Sequence, residues 1–194
     1  MTTHTASLDI DLLHQLRSGS GAAFQALYRR HQGPLYRFAL LRCGSPDTAA
    51  DVVQEVFLGL LSGGFAYDPL RGQLQNFLFG VARNVVMKLE QAGRRTDSLV
   101  CAEDEDGELD LGGDDSAEPL RRMLGNEQAE QVRRALAKLP PHYRDAVILY
   151  ELHELSYLEI ADICQVDIGT VRSRLSRGRA ALAKRLAGAA LDAA

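Results

Sequence analysis

The 194-residue sequence contains no tryptophan and only three cysteines. Cys43, Cys101 and Cys164 lie far apart, are odd in number and lack metal-ligand spacing. That excludes a disulfide framework or a zinc module and predicts reduced thiols in the cytoplasm. No run approaches 18 apolar residues, and Met1–Ser7 is not a basic stretch leading into an apolar one, so neither a membrane span nor a secretory signal is predicted. Carboxylate clusters and phosphate-binding glycine loops are also missing, and the five histidines are scattered. An enzyme is therefore not expected, and no catalytic, cofactor-binding or metal-binding residue is predicted. Ala, Leu, Arg and Glu dominate over β-branched and aromatic residues, which favours an all-α protein.

The net charge of −4 hides an asymmetry. Residues 1–95 carry 10 Lys and Arg against 7 Asp and Glu; residues 121–194 carry 12 against 9. Between them, residues 96–120 carry no base and 10 acids. Two mildly basic blocks thus flank a strongly acidic segment.

Helical patterns fill the first block. A short one from Leu8 ends at Ser18–Gly21, and a second carries Phe24, Leu27 and Tyr28 on one face. Pro34 either kinks this second helix or opens a new one at its first turn. Ser45-Pro46-Asp47 combines a capping hydroxyl, a proline at the first helical position and an acid in the first turn. The helix it starts has Ala49, Val52, Val53, Val56, Phe57 and Leu60 on one side. Asp51 and Glu55, four residues apart, share a face away from that stripe, with Gln54 beside them. The loop Phe65–Gly72 precedes a helix from about Gln73 to Gln91, with Phe77, Leu78, Val81, Val85 and Leu89 as its apolar stripe. Periodicity then vanishes from Thr96 to Glu118, as in a flexible linker. It returns near Asn126 and runs to Pro140-Pro141.

From Ser156 two helical patterns lie either side of a very short break. Ser156 can cap the first, with Glu159 as its capping-box partner. Cys164–Asp167 makes the turn, and the next helix opens at Thr170 with Val171, Leu175, Gly178 and Leu182 on one side. Ser173, Ser176 and Arg177 fall opposite, Arg172 at the edge, and Arg174 and Arg179 flank the apolar stripe within reach of phosphates. Thr170 to Leu186 holds six Lys and Arg and no acid. This is a helix-turn-helix whose second helix has the chemistry to enter the major groove.

Asp51-Val-Val-Gln-Glu-Val-Phe57, Phe77-Leu-Phe-Gly-Val-Ala-Arg-Asn84, Leu139-Pro-Pro, Glu159-Ile-Ala161 and Gly169-Thr-Val-Arg-Ser-Arg-Leu175 resemble, in this order, the extracytoplasmic-function sigma factors of bacterial RNA polymerase. The resemblance implies that the helix bearing Asp51, Gln54, Glu55 and Phe57 binds the clamp helices of the polymerase's largest subunit, and that the flap region is a further contact. It implies that the loop and the helix after it, through Phe65, Tyr67, Asp68, Arg71, Arg83, Asn84 and Lys88, recognise and melt the −10 element. An unstacked base needs such aromatics, an amide and cations. Thr170, Arg172, Ser173, Arg174, Ser176, Arg177 and Arg179 would then read the −35 element. Promoter DNA and an anti-sigma protein are the other implied partners. The sequence departs from the family where a tryptophan is usual, carrying Leu60 or Leu61 and Phe77 or Phe79, and at the turn, where Cys164-Gln165 replaces Leu-Gly. A non-glycine residue forced to positive φ there costs about 1 kcal/mol.

The expected architecture is therefore two small helical bundles: 1–95 for core binding and the −10 element, and 126–188 for the −35 element, with a tail at 189–194. The acidic linker, 96–125, either mimics nucleic acid in the polymerase channel or only tethers the bundles. A free-standing helix-turn-helix regulator is the principal rival, but it has no use for the Asp51–Phe57 helix or the base-capturing loop.

Overall fold

The computed structural model describes residues 2–97 and 129–192, and every regular element among them is helical. Four helices form the first bundle: α1 (Thr2–Arg17), α2 (Gly21–Cys43), α3 (Pro46–Leu61) and α4 (Leu74–Asp97). The second contains α5, described over 129–137, then α6 (Pro141–Glu151), α7 (Tyr157–Cys164) and α8 (Ile168–Asp192). Most of the acidic segment and Cys101 lie outside the described residues. No helix among the described residues is long and apolar enough to cross a membrane.

Pro34 proves to lie inside one continuous helix. It removes one internal hydrogen-bond donor, a defect of about 3 kcal/mol in an isolated helix. Burial on both sides outweighs it, because Leu27, Leu35, Phe38 and Ala39 are all fully buried along the same face. Leu27, Leu35 and Phe38 each contribute about 1.5–3 kcal/mol. α3 starts as its sequence dictates, with the Ser45 hydroxyl accepting from Thr48 N at 3.3 Å and Pro46 in the first turn. Its buried residues are Ala49, Val52, Val53, Val56 and Phe57.

α4 differs from expectation. Leu74, Leu78, Phe79, Ala82 and Val86 are buried, while Phe77, Val81 and Val85 are half-buried and Leu89 is exposed. The helix packs on two sides at once, against α2 and α3 within its own bundle and against α7 of the other. A single-stripe reading cannot capture that arrangement. The bundles also meet where α2 packs against α6.

α7 carries the complete capping box: Ser156 Oγ accepts from Glu159 N at 3.3 Å, and Ser156 N donates to the Glu159 carboxylate at 2.8 Å. It ends at Gln165 with φ 55° and ψ 53°, the left-handed conformation expected at that turn. α8 begins at Ile168, two residues before the expected Thr170. Gly178 lets α8 close on α6, since a Cβ there would sit 2.8 Å from Val147 Cγ2 and 3.3 Å from the Tyr143 carbonyl.

Candidate nucleic-acid interface

α8 divides by face as its periodicity requires. Val171, Leu175 and Gly178 are buried on the bundle side, while Arg172, Ser173, Ser176 and Arg177 are exposed. Thr170 and Arg174 are half-buried at the margins, and Ser173 Oγ donates back to the Thr170 carbonyl at 2.9 Å. Arg179 is exposed but engaged: Nε donates to Glu151 Oε1 at 2.5 Å, and its guanidinium lies 4.7 Å above the Tyr150 ring. The hydrogen bond with Glu151 raises its pKa further, so it stays charged. The short α7, the left-handed Gln165 and the long α8 make the helix-turn-helix.

The loop before α4 is fastened at several points. The Phe65 ring covers Gly59 so closely that a Cβ there would fall 2.1 Å from the ring. The Tyr67 ring packs at a tilt 5.4 Å from Phe77 and donates its hydroxyl to the Gly72 carbonyl at 2.9 Å. Burial, then Asp9 and Asp68, push the Tyr67 phenol above its ordinary pKa and keep it a donor. Asp68 Oδ1 accepts from Leu70 N at 2.9 Å and sets a single 3-10 turn, Pro69–Arg71.

Tyr67, Asp68, Arg71 and Asn84 come together around a cleft of about 590 Å³. Lys88 is exposed but does not line it. Arg83 is turned away, its side chain 13% exposed and its Nε 2.8 Å from Asp145 Oδ2 on α6. Phe65 and Phe77 are half-buried and packed on each other at 6.3 Å. Gln73 and Asn76 also line the cleft and were missed by the sequence reading. Their signal was present: Gln73, Asn76, Gly80 and Asn84 recur at helical spacing as one polar or small stripe.

On α3, Asp51, Gln54 and Glu55 are exposed, whereas Phe57 is 3% exposed and packs 4.8 Å from Tyr28 and 6.0 Å from Phe24. An apolar groove runs between α2 and α3 beside Gln54, and Leu58 and Leu61 on its rim are 50% and 49% exposed. Those two leucines follow Gln54 at helical spacing, which marks them as part of the same face. Among the described residues no group of His, Cys, Asp or Glu could hold a metal ion.

Residues 27–95 match the sigma-70 region 2 family, and residues 129–182 match sigma-70 region 4. The RNA polymerase sigma-H factor of Pseudomonas aeruginosa is 34% identical over 187 residues, covering 94% of this chain and 95% of that protein. The ECF RNA polymerase sigma-E factor of Escherichia coli is 34% identical over 176 residues, covering 88% and 90%. A solved structure of the sigma factor RpoE from Bartonella quintana, in complex with the anti-sigma factor NepR, superimposes with a TM-score of 0.62. It is 26% identical and covers 84% of this chain and 96% of that one. One chain thus carries a basic helix-turn-helix, a cleft beside α4 and an acidic, apolar-rimmed helix. The chain belongs to the extracytoplasmic-function sigma factors, and it binds core RNA polymerase and directs promoter-specific transcription initiation.

Proposed function

We propose a division of labour in which α8 reads the −35 element and the Phe65–Gly72 loop with α4 captures and opens the −10 element. The face of α3 bearing Asp51, Gln54 and Glu55, with the groove lined by Phe57, Leu58 and Leu61, docks on the clamp helices of the largest polymerase subunit. The second bundle meets the flap region. The observation that carries this reading is α8, where four polar or basic side chains stand exposed opposite a buried stripe. Residues 1–95 and 126–188 are the two working units, and the acidic stretch between them is a tether. The chain has no catalysis of its own and works in the cytoplasm. An anti-sigma protein holds it in reserve, by analogy with the RpoE–NepR complex.

Run-off transcription with purified core polymerase tests the assignment. The chain should confer promoter-dependent product on core enzyme, and reversing both charges at Asp51 and Glu55 should remove it while helical content stays intact. Equal core affinity for the doubly reversed variant would discard the α3 surface.

A further inference from the structure

Four side chains of three chemistries line the cleft beside α4 and make no hydrogen bond to any other described residue: Arg71 of the loop, Gln73 just before α4, Asn84 within it, and Asp162 on α7. Arg71, Asn84 and Asp162 are exposed and Gln73 is half-buried, so each is open to a ligand. The neighbouring Glu159 differs. Burial works against its charge, but the bonds from Ser156 N and Asn76 Nδ2, each at 2.8 Å, hold its pKa below the ordinary value. Those bonds use Glu159 to fix the wall of the cleft and leave Asp162 as the acid that can meet a ligand. Tyr67 and Phe77, packed 5.4 Å from each other, supply aromatic surface to the same cleft. Its volume of about 590 Å³ falls within the roughly 300–1,000 Å³ of small-molecule sites.

What each group can offer selects the ligand. A carboxylate only accepts, and its two oxygens match two neighbouring N–H donors. Among the nucleobases guanine presents such a pair, at N1 and its exocyclic N2. Adenine and cytosine set a lone-pair nitrogen beside their amino group, and uracil flanks its N–H with two carbonyls. Each of those edges would put an acceptor against Asp162. Carboxamides such as Gln73 and Asn84 complement the other edge of guanine, where O6 and N7 both accept. A guanidinium takes a phosphate through two parallel bonds. Aromatic rings offer a stacking face that serves any base, so selectivity lies with Asp162.

The acids also set the size of the ligand. A groove that tracks a strand is lined by positive charge, and Asp162 and Glu159 oppose a run of phosphates. A single phosphate kept at Arg71 avoids them. We propose that the cleft between the Phe65–Gly72 loop, α4 and α7 is a binding site for a free guanine mononucleotide, with Asp162 accepting from N1 and N2 of the base and Arg71 holding the phosphate. Gln73 and Asn84 donate to O6 and N7, and Tyr67 and Phe77 cover the ring. The −10 strand is assigned to the loop and α4 alone, whereas this site needs α7 as well, so it stands even if the −10 reading fails.

The test is a calorimetric titration of the full chain, without polymerase, with GMP. AMP, CMP, UMP, unphosphorylated guanosine and a short single-stranded oligothymidylate carrying one central guanine are the comparators. GMP should bind more tightly than every comparator, on the order of tenfold or more over AMP. Asp162→Asn should erase the preference for guanine, because a carboxamide turns a donor toward one of the two guanine N–H groups. Arg71→Ala should bring GMP down to the affinity of guanosine while guanine stays preferred over adenine. Both positions are exposed, and unchanged helical circular dichroism checks that the variants fold; should either lose it, Asp162→Ser or Arg71→Gln takes its place. No binding of GMP at millimolar concentration, or equal affinity for GMP and AMP, overturns the site. A guanine preference that survives in folded Asp162→Asn overturns the way the base is read. Tighter binding of the oligonucleotide than of GMP overturns the mononucleotide as ligand.

Discussion

The two surfaces proposed to face DNA are built differently. The face of α8 comes from one helix, and its exposure follows from the 3.6-residue period and a buried Val171–Leu175–Gly178 stripe. The strand-capture cleft is composite, taking Tyr67 and Arg71 from a loop, Asn76 and Asn84 from α4, and its acidic wall from α7 of the other bundle. A surface made by one element is present whenever that element folds. A surface made by several depends on how they are docked. In the proposed reading, the first surface comes with its helix and the second depends on how the bundles pack.

The sharpest way to break that comparison sets the two surfaces side by side. Arg177→Ala should lower affinity for the preferred −35 duplex by about 1–3 kcal/mol and relax discrimination there, both in the free chain and in the holoenzyme. Asn84→Ala should leave duplex binding by the free chain unchanged yet reduce open-complex formation by the holoenzyme, followed by permanganate reactivity of −10 thymines. A pre-melted template should restore part of that loss, because an unpairing cost of a few kcal/mol is gone. Parental sequence preference in Arg177→Ala, selected from a library randomised over the −35 element, would mean that α8 docks by another face.

The same contrast explains what was legible in the sequence. The capping box at Ser156 and Glu159, the cap at Ser45 and the facing of α8 were readable because each is decided within a few residues of chain. The turn at Gln165 was readable only through the resemblance, because the family usually carries glycine where φ turns positive. Arg83, expected to contact DNA, also meets Asp145, 62 residues away, of which the sequence carries no sign. Arg42 drew no attention, although its partner is 103 residues away and both are fully buried. Nothing in local periodicity reports an ion pair between bundles. The continuity of α2 through Pro34 was equally undecidable, because the side chains that outweigh the proline defect are buried by other helices.

Acidity should separate the surfaces again. The His153 ring packs between the bundles, 4.5 Å from Phe79. Burial first, and Arg37 second, lower the His153 pKa from 6.5 to about 4. The packed bundles therefore bind fewer protons than parted ones, in which the imidazole regains its ordinary value. Packing is fully supported above about pH 6.5 and is progressively lost as pH falls from there toward 4. Scattering should show an expanding chain across that window while α8 helicity holds, and His153→Phe should flatten the response. Expansion that is identical in His153→Phe would place the acid sensitivity elsewhere.

α7 serves both surfaces, as the first helix of the helix-turn-helix and as the wall of the cleft, so loosening it should blur the distinction. Ser156→Ala removes its cap and should cost about 1 kcal/mol of second-bundle stability. Gln165→Gly relieves the left-handed turn and should stabilise by up to about 1 kcal/mol, less the extra backbone entropy of glycine. Urea midpoints moving in opposite directions would bear this out, and a shift of the same sign in both variants would refute it.

The smallest expected effect lies at Arg179, and it tests the rotation of α8. This side chain is exposed and already satisfied by Glu151 and the Tyr150 ring, so meeting a phosphate exchanges one acceptor for another. An exposed ion pair contributes little on its own, and the net gain on binding DNA is correspondingly modest. Arg179→Ala should therefore weaken binding to all sequences alike, by less than Arg177→Ala does. It should also lower the slope of log affinity against log salt by about one. Glu151→Ala should do the reverse, freeing the guanidinium for phosphate and tightening binding without changing which sequence is preferred. If instead Arg179→Ala relaxes preference at the −35 element while its salt slope is unchanged, then Arg179 reaches base edges. α8 would have to turn in the groove toward its Tyr150 side, with Ser173 and Arg177 moved out to the backbone.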